Sequence, residues 1–476
     1  MPISVTQHYG LDEDEFDKTE AFNSMIDWDT ELFVDPSLLK ICSTSEFSGS
    51  HDELLKYFTD TIRLIVSSNS SSDLTWKTAK KRLVFKELGC FGLGYSKQSV
   101  TGSGIGTGFA NQLLEALKEI TEKGVVEPEL FELLGLFQEG VGCDRISDMT
   151  CFILRNRFAS FTERVFQEAG YNGASVLWRF ADKSYQIPAH PKKPSLPILL
   201  APKSLLRDLP TSEDGVDLSS VFAANDAIRA TLNQVLGVHW REEIKNFRKP
   251  SFHDLFLSHP EILAEAIDAY KKVSPKPYNY RSDPAGEYIW RELALKYSEK
   301  YPLALNLSES PTLEEVRQVV LSICDQFREN VEQNGAWEVL FDDEKKPRKE
   351  RIAQKVFFVA ADSYCIANKL DLSPESNSGR GPVDFKVSSG NIKVVVEIKL
   401  SKSNKLIENY KNQVQIYRES EKAQHAIYLV IKVTDDSPKL DELVKYEQSL
   451  VMKKEPHIPV FVIDGMPKLS ASNVVS

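Results

Sequence analysis

The stretch GRGPVDFKVSSGNIKVVVEIKLS, residues 379–401, predicts two short antiparallel strands joined by a tight turn. Charged residues alternate with apolar ones in both strands: Asp384 lies in the first strand, and Glu397 and Lys399 lie in the second. Successive side chains of a strand point to opposite faces of the sheet. Each strand therefore has one apolar face, and the opposite face carries two carboxylates and a lysine.

The turn predicts how the two strands pair. If Gly390 and Asn391 are the turn residues, Ser389 pairs with Ile392, and Asp384 faces Glu397 with Cβ atoms roughly 4.5 to 5.5 Å apart. Two like charges at this separation destabilise a sheet unless a positive group lies between them.

A divalent cation would resolve this conflict. Mg²⁺ is typically held by one or two carboxylates together with water and phosphate oxygens. Lys399 could then orient a metal-bound water or stabilise negative charge that develops on a phosphate. An exposed strand face with ordinary salt bridges is the alternative interpretation.

Two neighbouring segments predict helices that could add side chains to the charged face. In KLIENYKNQVQIYRESEKAQ, residues 405–424, the helical period places Gln413 on one stripe with Tyr410 and Tyr417. A buried amide needs a partner, which could be a metal-site carboxylate, a DNA phosphate or a backbone carbonyl. Upstream, residues 348–368 predict a helix with Glu350 in its first turn, where the carboxylate could join the cluster or interact with the helix dipole.

The order of predicted elements from residue 346 onward is helix, strand, strand, helix, strand, with an additional strand at 459–464. This order resembles the RecB-type branch of the PD-(D/E)xK nuclease superfamily over about residues 345–465. The residues that carry the resemblance are Asp384 in GPVDF, Glu397 and Lys399 in EIK, and Gln413 with Tyr417 in QVQIY, which fits the QxxxY helix motif of that branch.

The resemblance implies a restriction-endonuclease-like domain, a mixed sheet flanked by helices, that cleaves phosphodiester bonds with Mg²⁺ or Mn²⁺. Asp384, Glu397 and the backbone carbonyl of Ile398 would contact the metal, and Lys399 would be the catalytic lysine. Gln413, Tyr417 and Glu350 would complete the catalytic set. Many RecB-type members have a histidine on the upstream helix where this chain has Glu350, and the four-cysteine pattern of some members is absent from the sequence.

The length of 476 residues predicts a multidomain protein, since single cores rarely grow beyond about 250–300 residues. The helical and strand patterns together predict the α+β class. We expect a small N-terminal unit over 1–95, a mainly helical regulatory or sensing region over 96–345, and the nuclease domain over 346–476. The net charge is −11, yet residues 347–476 carry 20 Lys+Arg against 16 Asp+Glu. This asymmetry indicates a C-terminal part that meets a polyanion, although a plain difference in surface composition is the alternative.

Several classes of site are disfavoured by composition. The six cysteines are dispersed without a CxxC pair, which argues against a disulfide framework and a structural zinc site. The eight histidines form no HExxH motif. The sequence has no apolar run of roughly 20 residues and no signal-peptide pattern at its start, so we expect a cytoplasmic protein without a membrane partner.

The resemblance to the PD-(D/E)xK superfamily therefore implies a metal-dependent deoxyribonuclease. We expect an endonuclease, and fold-level analogy suggests a role in prokaryotic defence against foreign DNA. The N-terminal region would sense a target, bind a protein partner or self-associate. The alternatives are a DNA-repair exonuclease or nuclease subunit, and a non-catalytic module that binds nucleic acid or protein; RNA is an open alternative to DNA.

Overall fold

The computed structural model describes residues 3–26, 29–86, 88, 91–94, 105–136, 138, 141–180, 183–209, 252–272, 274–283, 286, 307–308, 311–377, 382–414, 425–455 and 457–468. The chain is a mixed α+β protein and divides into two compact units, Pro2–Tyr278 and Asn279–Ser476.

The N-terminal unit is mainly helical. Its longer helices are amphipathic, because apolar residues recur three or four positions apart and form one buried stripe. Its helices, in the part of the unit that the structure describes, are α1 (Val5–Tyr9), α2 (Glu13–Lys18), α3 (Ser50–Val66), α4 (Leu74–Arg82), α5 (Thr107–Glu122), α6 (Cys143–Ile153), α7 (Arg155–Glu168), α8 (Phe252–Ser258) and α9 (Pro260–Lys272).

Short strands of this unit form two-stranded antiparallel sheets. The strands are β1 (Leu32–Val34), β2 (Val176–Phe180), β3 (Lys183–Ile187), β4 (Ala189–His190), β5 (Lys193–Pro197) and β6 (Leu206–Asp208), paired as β1–β6, β2–β3 and β4–β5. Because β1 pairs with β6, and α3 and α4 both pack against α5, this compact unit extends across residue 95, the predicted end of the first unit.

The C-terminal unit contains a five-stranded mixed sheet with helices around it. In the described residues of this unit, the helices are α10 (Leu313–Glu332), α11 (Glu350–Ala367), α12 (Leu406–Glu408) and α13 (Pro438–Met452), and the strands are β7 (Asp371–Asn377), β8 (Pro382–Ser389), β9 (Ile392–Leu400), β10 (His425–Lys432) and β11 (Val460–Asp464). Helix α10 packs on this sheet, so the compact unit begins well before residue 345. Independent folding of residues 346–476 stays a prediction.

The strand order is β11-β10-β9-β8-β7. The pairs β7–β8 and β8–β9 are antiparallel, whereas β9–β10 and β10–β11 are parallel. The predicted register of the hairpin is confirmed: Ser389 pairs with Ile392, and the ladder runs to Phe385 opposite Val396. Gly390 takes φ +57° in the turn, a conformation that glycine adopts without the penalty of a Cβ atom.

Both faces of the sheet are covered. Phe385 of β8 contacts the ring of Phe357 on α11, with ring centroids 5.1 Å apart. On the other face, Val395 and Tyr428 lie in an apolar cluster with residues of α12 and α13. Glu397 and Lys399 follow Val395 at alternate positions of β9 and therefore share its face, so the charged side chains enter a covered part of the sheet.

Two elements of this unit have no counterpart among the predicted elements. Strand β7 is polar and contains Pro374, a composition that resembles a loop; proline is tolerated there because β7 is an edge strand. Helix α13 follows Ser437 and starts with Pro438 at its first position. In the described residues, no helix is both long enough and apolar enough to cross a membrane.

Candidate functional site

The ammonium group of Lys399 lies at the centre of the predicted charged cluster. Its Nζ atom is 3.0 Å from Oε1 of Glu397 and 3.7 Å from Oδ2 of Asp384. It also lies 2.7 Å from Oε1 of Glu350 and donates to the carbonyl oxygen of Ile398 at 3.1 Å. The positive group between the two carboxylates is therefore, in the protein itself, Lys399.

The cluster is buried. Asp384 and Lys399 are each 8% exposed, and Glu397 is 2% exposed. The alternative interpretation of an exposed strand face with ordinary salt bridges is therefore wrong for these three residues. Buried charges are costly unless they are paired and hydrogen-bonded, so their contacts determine what the site can do.

Asp384 is held by two donors. The ladder between β8 and β9 ends at Phe385 and Val396, and the next free amide of β9, that of Ile398, donates to Oδ2 of Asp384 at 2.7 Å. Nε2 of Gln354 donates to Oδ1 at 2.8 Å. Each carboxylate oxygen can accept a further bond, so the side chain is fixed in place while keeping acceptor capacity.

Helix α11 brings two polar side chains to the cluster. Glu350, its first residue, accepts from Lys399 and from the amide of Leu400 at 3.3 Å. Gln354 lies one helical turn later, and its Nε2 is 3.5 Å from Oε1 of Glu350. The sequence analysis missed Gln354; its spacing of four residues from Glu350, which puts both on one helix face, was the available signal.

The environment shifts the protonation of two members of the cluster. Burial, followed by the negative charge of Asp384, raises the pKa of Glu397 to about 8. Burial lowers the pKa of Lys399, but the charges of Asp384, Glu397 and Glu350 outweigh this effect and raise it well above its ordinary value. At neutral pH, these directions favour a charged Lys399 and a protonated Glu397.

Glu397 has one oxygen that the described part of the chain leaves without a hydrogen bond. Its Oε1 faces Lys399, whereas its buried Oε2 accepts no hydrogen bond from any described residue. A buried acceptor without a partner costs about 1–3 kcal/mol. This atom is therefore the one best placed to gain from a bound cation.

The donor set fits a hard divalent cation. Asp384, Glu397 and the carbonyl of Ile398 provide oxygen only, and Mg²⁺ or Mn²⁺ prefers oxygen ligands. Among the described residues, no group of three or more His, Cys, Asp or Glu side chains has the geometry of a metal site, so the set is limited to two carboxylates and a carbonyl. Lys399 contacts two of these oxygen donors, Oε1 of Glu397 and the carbonyl of Ile398, which would also hold such a cation.

The predicted QxxxY helix motif lies mostly outside the described residues. Gln413 belongs to the π-helical segment Asn409–Val414 that follows α12, but its side chain is outside the described part, as is the whole of Tyr417. Within the same segment, Tyr410 is buried and its hydroxyl donates to the carbonyl of Ile458 at 2.7 Å. The roles of Gln413 and Tyr417 stay predictions.

Two family models match the chain, and both are domains of unknown function. The first, DUF8370, matches residues 10–213, and the second, DUF8371, matches residues 316–435. The second match contains Glu350, Asp384, Glu397 and Lys399. The chain has no match among curated proteins or solved structures.

Proposed function

We propose that the C-terminal unit is a restriction-endonuclease-like nuclease that hydrolyses phosphodiester bonds of DNA with Mg²⁺ or Mn²⁺. The observation that carries the proposal is the buried cluster of Asp384, Glu397 and Lys399, in which Oε2 of Glu397 accepts no hydrogen bond from the described part of the chain. Two carboxylates and one lysine are a small set of the kind that metal-assisted phosphoryl chemistry requires.

The carboxylates of Asp384 and Glu397 and the carbonyl of Ile398 would hold the metal. When bound, the metal would polarise a phosphate oxygen and lower the pKa of water. The acceptor capacity left on Asp384, together with the free oxygen of Glu397, supports these assignments.

The other residues of the cluster position these groups. Gln354 and the amide of Ile398 fix the carboxylate plane of Asp384, and Glu350 holds the ammonium of Lys399. The charged Lys399 would stabilise negative charge that develops on the phosphate, an effect that is stronger in a buried site than in water. Glu350 is thus a positioning residue in this proposal.

The N-terminal unit would sense the target, and the whole protein would act in the cytoplasm as an endonuclease in prokaryotic defence. The presence of a second, larger compact unit in the same chain supports a regulated enzyme. The defence role rests on analogy with other nucleases that carry regulatory regions.

The test uses the purified full chain with closed circular DNA, linear DNA and RNA, each in Mg²⁺, Mn²⁺ or EDTA. We expect circular DNA to be cut with either metal and to stay intact in EDTA. Glu397→Gln and Lys399→Met should abolish cutting. Matched controls are Glu442→Gln and Lys445→Met, which change exposed residues of α13 and should leave cutting unchanged.

Other cleavage results would identify a different type of nuclease or refute the proposal. Degradation of linear DNA alone would identify an exonuclease, and degradation of RNA alone would identify a ribonuclease. Failure to hydrolyse any of the three substrates with either metal, or full activity in Glu397→Gln, would refute the proposal.

A further inference from the structure

Helix α4 and the residues after it concentrate positive charge in an acidic unit. Residues 2–278 carry 30 Lys+Arg against 39 Asp+Glu. Within Leu74–Lys86, by contrast, there are five basic residues and no acidic one: Lys77, Lys80, Lys81, Arg82 and Lys86. The average charge of the unit therefore hides a local basic patch, defined here as Lys77, Lys80, Lys81 and Lys86.

Arg82 is excluded from the patch because it has a structural role. Its Nε donates to the hydroxyl of Thr61 at 2.8 Å and its Nη2 donates to the carbonyl of Tyr57 at 2.7 Å. Its guanidinium also lies 3.9 Å from the centre of the Tyr57 ring. These contacts join the end of α4 to α3.

The four lysines of the patch have no such contacts. Within the described part of the chain, none of their side chains makes an ion pair, a hydrogen bond or a ring contact. Lys77, Lys81 and Lys86 are exposed, and Lys80 is partly exposed. No described residue therefore compensates their charges by direct contact.

The positions of the lysines bring three charges together on one side of a fixed helix. Lys77 and Lys81 are one turn apart, and Lys80 lies between them on the same side. Like charges at this spacing destabilise a helix by a few tenths of a kcal/mol. A favourable effect of basic residues on the helix dipole is confined to the last turn, so it accounts for Lys80 and Lys81 but for neither Lys77 nor Lys86.

Helix α4 is firmly anchored, which keeps the patch in place. Asp73 caps its first turn by accepting from the amide of Trp76 at 2.7 Å, and Ala79 and Leu83 are fully buried. Helices α3 and α5 pack against it. Since the apolar side is used inside the protein and only Leu74 of the apolar residues of α4 is exposed, α4 has no free apolar face to insert into a membrane.

We propose that this patch binds the phosphate backbone of duplex DNA and holds the target of the nuclease. Lysines contact phosphates as point charges and carry no sequence information, which suits a surface that retains DNA of any sequence. The choice of DNA as the polyanion rests on the function proposed for the C-terminal unit. The proposal thus places DNA contact on a basic surface of the otherwise acidic N-terminal unit.

The experiment measures binding separately from cleavage. Full-length protein carrying Glu397→Gln is titrated in EDTA against a fluorescent DNA duplex. Anisotropy is followed between about 50 and 200 mM KCl, a range over which binding through phosphate contacts weakens strongly. The test variant adds Lys77→Gln, Lys80→Gln and Lys81→Gln. The control variant adds the same charge change at three other exposed lysines of the unit: Lys123→Gln, Lys183→Gln and Lys272→Gln.

We expect the magnitude of the negative slope of log K against log salt to fall by about 0.9 for each lost phosphate contact, or about 3 in total, with about tenfold or greater loss of affinity. The control should keep the slope of the parent. A Lys→Arg variant at the same three positions should bind like the parent, because it keeps the charge. Circular dichroism melting checks that all variants are folded.

Equal salt slopes in the test and control variants would overturn the proposal, and so would tighter binding to RNA duplex or to phosphatidylserine vesicles than to DNA. Failure of this proposal and failure of the nuclease proposal give different results in the two measurements. Loss of binding in the test variant without hydrolysis by the wild type would leave the patch standing and refute the nuclease. Metal-dependent hydrolysis by the wild type with unchanged binding in the test variant would refute the patch and leave the nuclease proposal standing.

Discussion

Replacement of Glu397 by glutamine should change how the stability of the metal-free protein depends on pH. The pKa of Glu397 is about 8 in the folded protein, against 4.5 for an ordinary glutamate, because burial and Asp384 disfavour its charge. Between these two values the folded state keeps a proton that the unfolded state has lost. The stabilising contribution is therefore complete below pH 4.5 and disappears as the pH rises through 8.

The size of the effect follows from one proton. When a group binds one more proton in the folded state than in the unfolded state, the free energy of unfolding falls by about 1.4 kcal/mol for each unit by which the pH rises. Glutamine has nearly the same shape and does not titrate. The free energy of unfolding of wild type minus that of Glu397→Gln should thus fall with this slope between pH 5 and 8 and level off above 8.

Urea unfolding in EDTA at pH 5.5, 6.5, 7.5 and 8.5 measures this difference in free energy. If the two units unfold in separate transitions, the value is taken from the transition whose midpoint changes in Glu397→Gln. Glu442→Gln, on the exposed side of α13, is the control, and its free energy of unfolding should depend on pH as that of wild type does. Mg²⁺ favours the ionised carboxylate, so at pH 7.5 it should stabilise wild type more than Glu397→Gln. Parallel pH profiles for wild type and Glu397→Gln would show that the charged cluster is not assembled as described.

Three further substitutions test other parts of the C-terminal unit. Gln354→Leu removes the donor to Asp384 and should lower kcat for DNA hydrolysis roughly 10–100-fold with little change in KM, whereas an unchanged kcat would exclude a positioning role. Phe385→Ala removes a buried ring that packs on α11 and should cost about 3–5 kcal/mol in urea unfolding; a loss below about 1 kcal/mol would contradict this packing. Thr312→Ala removes the capping box at the start of α10 and should cost about 1 kcal/mol, while Thr312→Ser should be neutral and equal losses would exclude the hydroxyl cap.

Several elements follow from local patterns in the sequence. The alternation between residues 383 and 400 predicted a hairpin, and Ser389 does pair with Ile392. The helical period predicted α11, which runs from Glu350 to Ala367, and apolar runs predicted β10 and β11. Strand and helix periods depend only on residues within a few positions of one another, so a sequence displays them directly.

Contacts between segments far apart in the sequence could not be predicted from local patterns. The polar β7 looked like a loop because its place in the sheet depends on its antiparallel partner β8 and not on its own composition. The division between compact units lies at Tyr278, and α10 belongs with the sheet, because packing against β9 and β11 outweighs any change of composition along the chain. Such contacts connect residues far apart in sequence.

The candidate site shows the same division. The sequence by itself determined that Asp384, Glu397 and Lys399 lie on the charged sides of two paired strands, since the pleat of a strand alternates its side chains. Only the tertiary structure decided that these side chains are buried, that the amide of Ile398 leaves the ladder for Asp384, and that α11 brings Glu350 and Gln354 to them. Glu350 and Lys399 are 49 residues apart, and no local periodicity can indicate which helix end will lie beside a given strand end.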